Sequence, residues 1–155
     1  MRALFVFGML LLLKTVSRLF FRFDADWVGE PLHKPWRGLR VAAFLHHTSL
    51  FEPIFIAVVP VHVLWQLARR GVVPGADKTL RRPVIGALFK VFAYRMVPIS
   101  RRRDHTWAEF LGQIDPDSLV LMAPEGRMMR ANGLDLDGNP MTVRGGIADV
   151  LRAMP

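Results

Sequence analysis

The sequence predicts an α/β domain in which helices flank a mostly parallel sheet. Short apolar runs bounded by proline, glycine or charged residues alternate with longer runs that fit helices, and this alternation is typical of parallel sheets. The 155 residues are enough for one domain with a buried core. An apolar stretch in front of the domain predicts an additional, membrane-associated helix at the N-terminus.

The composition combines apolar character with positive charge. Hydrophobic residues make up 52% of the chain, which nevertheless has a formal net charge of +8, and only four of its 21 basic residues are lysines. A chain of this kind favours contact with an anionic lipid surface, because arginine binds phosphate through two parallel hydrogen bonds. We expect a membrane lipid and no nucleic acid as partner. The absence of cysteine excludes a disulfide framework, a thiolate zinc site and a cysteine nucleophile.

The N-terminal segment predicts an amphipathic membrane anchor over residues 1–23, with a helix from about residue 3. An apolar run precedes Lys14, Arg18 and Arg22, whose spacing of four places them on one helical face. We expect the first half of the helix to enter the bilayer and the three cations to face lipid headgroups. This implies a peripheral or monotopic protein at the cytoplasmic face of the cell membrane. A tilted span with snorkelling ends and a secretory signal peptide are the alternatives, whereas a buried core helix is disfavoured by three cations on one face.

The remaining chain divides into a linker over residues 24–38, rich in proline, glycine and tryptophan, and a domain over residues 39–155. Four apolar runs predict strands, at residues 39–45, 61–67, 96–99 and 118–123. Four further segments predict helices, at residues 49–59, 83–94, 104–114 and 145–154. The basic segment 69–82 and the turn-rich segment 124–140 are predicted loops. The chain stops one helix after its last strand, so we expect a missing C-terminal part or a partner at the sheet edge.

The stretch HHTSLFE, residues 46–52, is the main candidate for chemistry. His47 falls at the predicted carboxyl end of a strand, where sites of open α/β sheets lie. Ser49 and Glu52 have the spacing of a capping box, which by itself would account for the glutamate. Alternatively, Glu52 accepts a hydrogen bond from one imidazole nitrogen of His47 and leaves the other free to take a proton from a hydroxyl. Spacing alone leaves both interpretations open, and it predicts no metal site.

This stretch resembles the N-H-x-S-x-x-D block of the glycerolipid acyltransferases, the family of 1-acylglycerol-3-phosphate acyltransferase. Three later stretches resemble further blocks of that family in the same order, namely PVIGALFKVFAYRMVPISR at 83–101, LVLMAPEG at 119–126 and VRGGIADVL at 143–151. The similarity therefore extends from about residue 46 to the end of the chain. Each block is short, and their common order makes the resemblance specific.

The resemblance implies an O-acyltransferase. Such an enzyme moves a fatty acyl group from the thioester of acyl-CoA or acyl carrier protein to the free hydroxyl of a lysophospholipid, with no cofactor beyond that co-substrate. By position, His47 would be the general base and Glu52 the carboxylate that orients it. Arg101 would bind the substrate phosphate, and Glu125 and Gly126 would shape the acceptor pocket.

The chain departs from the family pattern at three positions. His46 stands where the family has asparagine, and Glu52 stands where it usually has aspartate. Met128 occupies the position of a family arginine, so we expect Arg127 or Arg130 to supply the missing charge at the phosphate site. The family's last block, a strand containing proline, does not occur, which agrees with a truncated domain.

Three other functions remain as alternatives at this point. A non-catalytic membrane-binding module would use the N-terminal helix and the basic loops without His47. A thioester or lipid hydrolase would use the same residues with water in place of the lysolipid. A nucleic-acid binder is disfavoured, because basic and aromatic residues do not interleave along the chain.

Overall fold

The computed structural model describes residues 1–26, 36, 38–46, 48, 52–100 and 102–154, without the side chain of Glu52. Within these residues four strands form one sheet: β1 (Val41–Ala43), β2 (Gly71–Ala76), β3 (Arg95–Ile99) and β4 (Leu119–Met122). The helices are α1 (Arg2–Phe20), a 3₁₀ helix (Glu52–Val58), α2 (Val61–Arg70), α3 (Asp77–Leu80), α4 (Pro83–Phe92), α5 (His105–Gly112) and α6 (Gly146–Ala153). The predicted α/β class is confirmed.

The sheet has the strand order β1-β4-β2-β3, and every neighbouring pair is parallel. β4 is the last strand in the sequence but lies inside the sheet, where Val120 pairs with Val41 on one side and with Val72 on the other. Because parallel strands all end at the same edge, the segments that follow the four strands gather there. This edge is where a functional site is expected.

The two faces of the sheet have different surroundings. One face packs on α5 and α6 and forms the buried core of Val72, Val97, Phe110, Ile114, Val120, Met122 and Val150. Successive side chains of a strand point to opposite faces, so Val73 and Leu121 belong to the other face, and they line a cavity. The sheet therefore has a closely packed side and a side that encloses space.

α1 packs against the 3₁₀ helix, α2 and α4. Its buried stripe includes Val6 and Leu10, which form a core with Leu64 and Ala68 of α2. Large apolar side chains on the rest of its surface are exposed: Leu4, Phe5, Leu12, Val16, Leu19 and Phe20. At 19 residues, or about 28 Å, α1 is the helix among the described residues that is long and apolar enough to cross a membrane.

The cations of α1 do not all face outward, and this part of the prediction is wrong. Lys14 is only 8% exposed, and its ammonium donates hydrogen bonds to the carbonyl oxygens of Ala57 and Val59. Arg18 donates from Nε to the same oxygen of Ala57 at 3.0 Å. The common face of Lys14 and Arg18 therefore meets backbone carbonyls of the domain, whereas Arg22 lies beyond the end of α1 at Phe20 and is exposed.

Two predicted elements are also wrong. Residues 61–67 were expected to form a strand but belong to α2, and the predicted loop 69–82 contains the last two residues of α2 as well as β2 and α3. The helix predicted at 49–59 is a 3₁₀ helix within the described residues. The strands predicted at 39–45, 96–99 and 118–123 and the helices at 83–94, 104–114 and 145–154 are confirmed, with ends that shift by a few residues. Residues 27–35 and 37 of the predicted linker lie outside the described residues.

The position of α4 depends on a glycine. A methyl group on Gly86 would lie 2.0 Å from the carbonyl oxygen of Leu80, closer than any nonbonded contact, so an alanine must push α4 away from α3. We expect Gly86→Ala to destabilise the protein by about 1–3 kcal/mol. Gly112→Ala is the matched control, because a methyl group there has no neighbour within 4 Å. Equal melting temperatures for both variants, measured by circular dichroism, would contradict this packing.

Candidate functional site

The main cavity has a volume of about 820 Å³ and lies between the sheet and the layer formed by α1, the 3₁₀ helix, α2 and α4. Its walls are mainly apolar, and the helical side contributes Leu10, Leu13, Phe55, Ile56, Leu67, Phe89 and Phe92. Protein interiors are close-packed and contain few voids larger than a water molecule. A space of this size falls within the range of about 300–1,000 Å³ that is typical of ligand pockets. Its lining suits an apolar ligand.

Four arginines line the same cavity, namely Arg102, Arg103, Arg127 and Arg144. The first two follow β3, the third follows β4 and the fourth precedes α6, so they belong to the edge at which the strands end. Arg103 forms an ion pair with Asp149 of α6, in which its Nη2 lies 3.0 Å from Asp149 Oδ2. The cavity thus joins an apolar chamber to a mouth that carries positive charge.

The predicted catalytic residues and the predicted phosphate ligand Arg101 are described only in part. His47 and Arg101 lie outside the described residues, as does Ser49. The backbone of Glu52 belongs to the 3₁₀ helix Glu52–Val58, and the helix start predicted at Ser49 lies outside the described residues. The pairing of His47 with Glu52, and its alternative as a capping box, therefore stay predictions.

His46 adopts a left-handed backbone conformation, with φ of 55°. Among non-glycine residues, asparagine, aspartate and histidine are the ones most often found in this region, which accounts for a histidine at the position where the acyltransferase pattern has asparagine. The left-handed residue turns the chain sharply after β1, immediately before His47. Residues held in such sparsely populated conformations cluster at functional sites. Sequence inspection noted the substitution but did not find this reason for it.

Arg127, one of the two candidates for the missing phosphate-binding charge, is held by carboxylates. Its Nη1 donates to Asp135 and, at 2.9 Å, to Asp137. Asp135 is 4% exposed and also accepts from the backbone nitrogens of Asp137 and Asn139. Arg130 is exposed and does not appear among the described residues that line the cavities. Neither residue presents an uncommitted charge to the main cavity.

Arg144 is the residue that sequence analysis missed. It is exposed at the cavity mouth, and its backbone nitrogen donates to the carbonyl of Pro124 at 3.1 Å. Its side chain passes 3.7 Å from where a Cβ on Gly126 would lie, and Gly126 has φ of 65°, a value that favours glycine. The signal was present in the stretch VRGG, which was assigned only as a helix start.

Glu125 and Gly126 lie on different sides of this turn. Gly126 lines the main cavity, whereas Glu125 is 4% exposed and lines a second cavity of about 130 Å³. Arg127 and Arg144 line both cavities. The two predicted pocket residues are therefore at the expected edge of the sheet, and the smaller cavity is lined mostly by polar side chains.

Asp104 binds Ser100 at the end of β3 and Thr106 in the first turn of α5. This carboxylate accepts hydrogen bonds from the hydroxyls of Ser100 and Thr106 and from the backbone nitrogen of Thr106, and it caps α5. These hydrogen bonds lower the pKa of Asp104 to about 2, and the bond from Ser100 has the largest effect. Asp104 thereby joins the end of β3 to the start of α5, and Arg102 and Arg103 between them line the cavity; Arg101 itself lies outside the described residues.

The described residues contain no group of three or more histidine, aspartate or glutamate side chains that could hold a metal ion. In the loop after β4, the carboxylates of Asp135 and Asp137 both form ion pairs with Arg127.

The turn at His46 can be tested by substitution. His46→Asn and His46→Gly keep residues that tolerate positive φ, so we expect melting temperatures within a few degrees of the parent. His46→Val places a β-branched residue in this conformation and should destabilise the protein by roughly 1–2 kcal/mol. Equal stability of the valine and glycine variants would contradict the left-handed turn.

The ion pair between Asp135 and Arg127 predicts that the stability of the protein depends on pH. The hydrogen bond from the backbone of Asn139 is the main reason why the pKa of Asp135 is lowered from 3.8 to about 2. Burial raises this pKa, and the hydrogen bond from Arg127 lowers it further. The ionised carboxylate therefore contributes stability that is fully present above pH 3.8 and is lost as the pH falls through 2. We expect Asp135→Asn to lower the melting temperature at pH 7 and this difference to shrink towards pH 2. Asp117→Asn, at an exposed carboxylate, is the control, and a difference that stays constant with pH would contradict the assignment.

Comparison of the chain with protein-family models, with curated proteins and with solved structures gives no match. The resemblance to glycerolipid acyltransferases thus rests on the four short blocks and their order. A function has to follow from those residues and from the geometry of the cavity and its mouth.

Proposed function

We propose that this chain transfers a fatty acyl group from a thioester donor to the hydroxyl of a lysophospholipid at a membrane surface. The observation that carries the proposal is the cavity, which joins an apolar chamber to a mouth lined by arginines at the carboxyl edge of the sheet. An acyl chain matches the chamber, and the phosphates of a lysolipid or of a phosphopantetheine thioester match the mouth. Gly126 of the PEG stretch lines this cavity, and His46, the first residue of HHTSLFE, follows β1.

The proposed reaction uses His47 as general base. Its imidazole takes the proton of the lysolipid hydroxyl while the oxygen attacks the thioester carbonyl, and Glu52 holds the ring and stabilises the imidazolium. The tetrahedral intermediate collapses with loss of the thiolate, which receives the proton from His47. The products are an ester and a free thiol, and no acyl-enzyme forms.

The mouth of the cavity supports phosphate binding by more than one arginine. Arg101 follows β3 in the resembling block, and its neighbour Arg102 lines the cavity. Because Asp135 and Asp137 neutralise Arg127, Arg144 is the better replacement for the arginine that Met128 displaces. We therefore assign Arg101 and Arg144 to the phosphate and give Arg127 the structural task of shaping the loop.

The N-terminal helix supports a location at a lipid surface. Its outer face is apolar and exposed, with Leu19 and Phe20 about three quarters exposed. α4 packs against α1 and exposes Val84 and Leu88. Because α1 lies along the domain instead of projecting from it, we favour an interfacial helix over a transmembrane span. Binding to a lipid surface would remove these exposed apolar side chains from water.

The first test replaces the proposed base. His47→Ala should lower acyl transfer by about 10²-fold or more, the typical size of a general-base contribution. The assay uses the purified chain in detergent, labelled acyl-CoA and a panel of lysophospholipids. Flotation with vesicles that contain phosphatidylglycerol should show unchanged membrane binding by the variant. His62→Ala, at an exposed histidine of α2, is the matched control and should keep the parent rate.

Other outcomes identify the alternatives. Release of free fatty acid at a rate that does not depend on the lysolipid would indicate a hydrolase. Vesicle binding without turnover of any donor would favour a non-catalytic membrane module. A His47→Ala variant as active as the parent would overturn the proposed mechanism.

A further inference from the structure

Lys14 is a buried lysine of α1, although the sequence predicts that the cations of this helix face lipid headgroups. Its ammonium lies 2.6 Å from the carbonyl oxygen of Ala57, 2.8 Å from that of Val59 and 3.5 Å from that of Ile56. The residue is 8% exposed. Arg18 adds a bond to Ala57 at 3.0 Å.

These carbonyls are at the end of the 3₁₀ helix. Its last intrahelical bond of the i to i+3 type runs from the nitrogen of Val59 to the oxygen of Ile56 at 3.1 Å, so the carbonyls of Ala57 and Val59 lie beyond the helical pattern. An ammonium group has three donors and no acceptor. Lys14 thus satisfies, from a different part of the chain, the groups that the 3₁₀ helix leaves unpaired at its end.

The helix held in this way begins at Glu52 and is seven residues long. Phe55 and Ile56 on the same helix line the main cavity. A helix this short has little stability of its own, so its place relative to the sheet depends on contacts such as those of Lys14. A shift of its end would move both the cavity wall and the backbone of Glu52.

We propose that Lys14 is a positioning residue of the candidate site, which acts by fixing the 3₁₀ helix and thereby Glu52. The inference rests on the proposed function, in which Glu52 orients His47. It gives α1 a second task besides membrane binding. The outer face of α1 meets lipid, its inner face holds the helix that carries Glu52, and the two faces belong to one rigid element.

The test is a double-mutant cycle on kcat in detergent. Lys14→Met keeps the aliphatic stem and removes the donors, and we expect kcat to fall by about 10- to 100-fold, since small displacements of catalytic groups cost up to about 10²-fold, while KM for the lysolipid changes little. In a Glu52→Gln background the same substitution should have almost no further effect, because Lys14 acts through that carboxylate. Lys14→Arg keeps a charged donor and should restore part of kcat.

Arg2→Met is the matched control. Arg2 also donates from α1 to carbonyls, those of Tyr94 at 2.9 Å and Ala93 at 3.5 Å, but these follow α4. Its effect on kcat should be additive with Glu52→Gln. All rates are taken below each variant's melting temperature, so that lost folding does not count as lost turnover.

The outcomes separate the two proposals. If the parent chain is active and depends on His47, but Lys14→Met and Glu52→Gln are additive, then Lys14 only stabilises the fold and the inference is wrong. An unchanged kcat for Lys14→Met overturns it equally. A parent chain that transfers no acyl group to any lysolipid overturns the proposed function and, with it, this inference.

Discussion

The insertion of β4 between β1 and β2 is the constraint on which the rest of the molecule depends. Through Val120, the last strand of the sequence pairs with strands that precede it by about 80 and about 50 residues. The parallel register sends all four carboxyl ends to one edge. At that edge Gly126, Arg102 and Arg103 line one cavity although they are far apart in the chain, and His46 follows β1.

The cavity follows from how the helical layer is supported. α1 packs on the 3₁₀ helix, α2 and α4, so these elements support one another and enclose space between themselves and the sheet. On the other face, α5 and α6 fill the corresponding space with side chains such as Phe110 and Val150, both fully buried. The sheet thus has one closely packed face and one face that borders the cavity.

The sequence predicts the elements whose signals are local. Pro83 starts α4 and Asp104 caps α5, as their chemistry requires. α2 was mistaken for a strand because Val61 and Val63 alternate with a polar residue, although its buried positions, Val63, Leu64 and Ala68, follow a helical period. β2 was mistaken for a loop because it contains Pro74. A proline fits there because the pairing of β2 with β4 covers only Gly71 and Val72, which leaves that side of the strand open at Pro74.

For the candidate site, the sequence shows which kinds of residue are present but not which partners their side chains bind. The spacing of Lys14 and Arg18 shows that they share a face, but periodicity does not tell whether that face meets headgroups or backbone carbonyls. Similarly, the PEGRMMR stretch shows that arginines are present, yet only the fold reveals that Asp135 holds Arg127 and that Arg144 lies at the mouth. Such pairings join distant residues, which no local pattern encodes.

The most direct measurement is a crystal structure of the chain with a bound long-chain lysophospholipid. We predict that the acyl chain lies in the cavity between Val73 and Phe89, with the lipid phosphate beside Arg101 and Arg144. The free hydroxyl should lie within hydrogen-bond distance of one nitrogen of His47, and the carboxylate of Glu52 should bind the other. A lipid bound elsewhere, or a Glu52 carboxylate directed away from the His47 ring, would contradict the central claim.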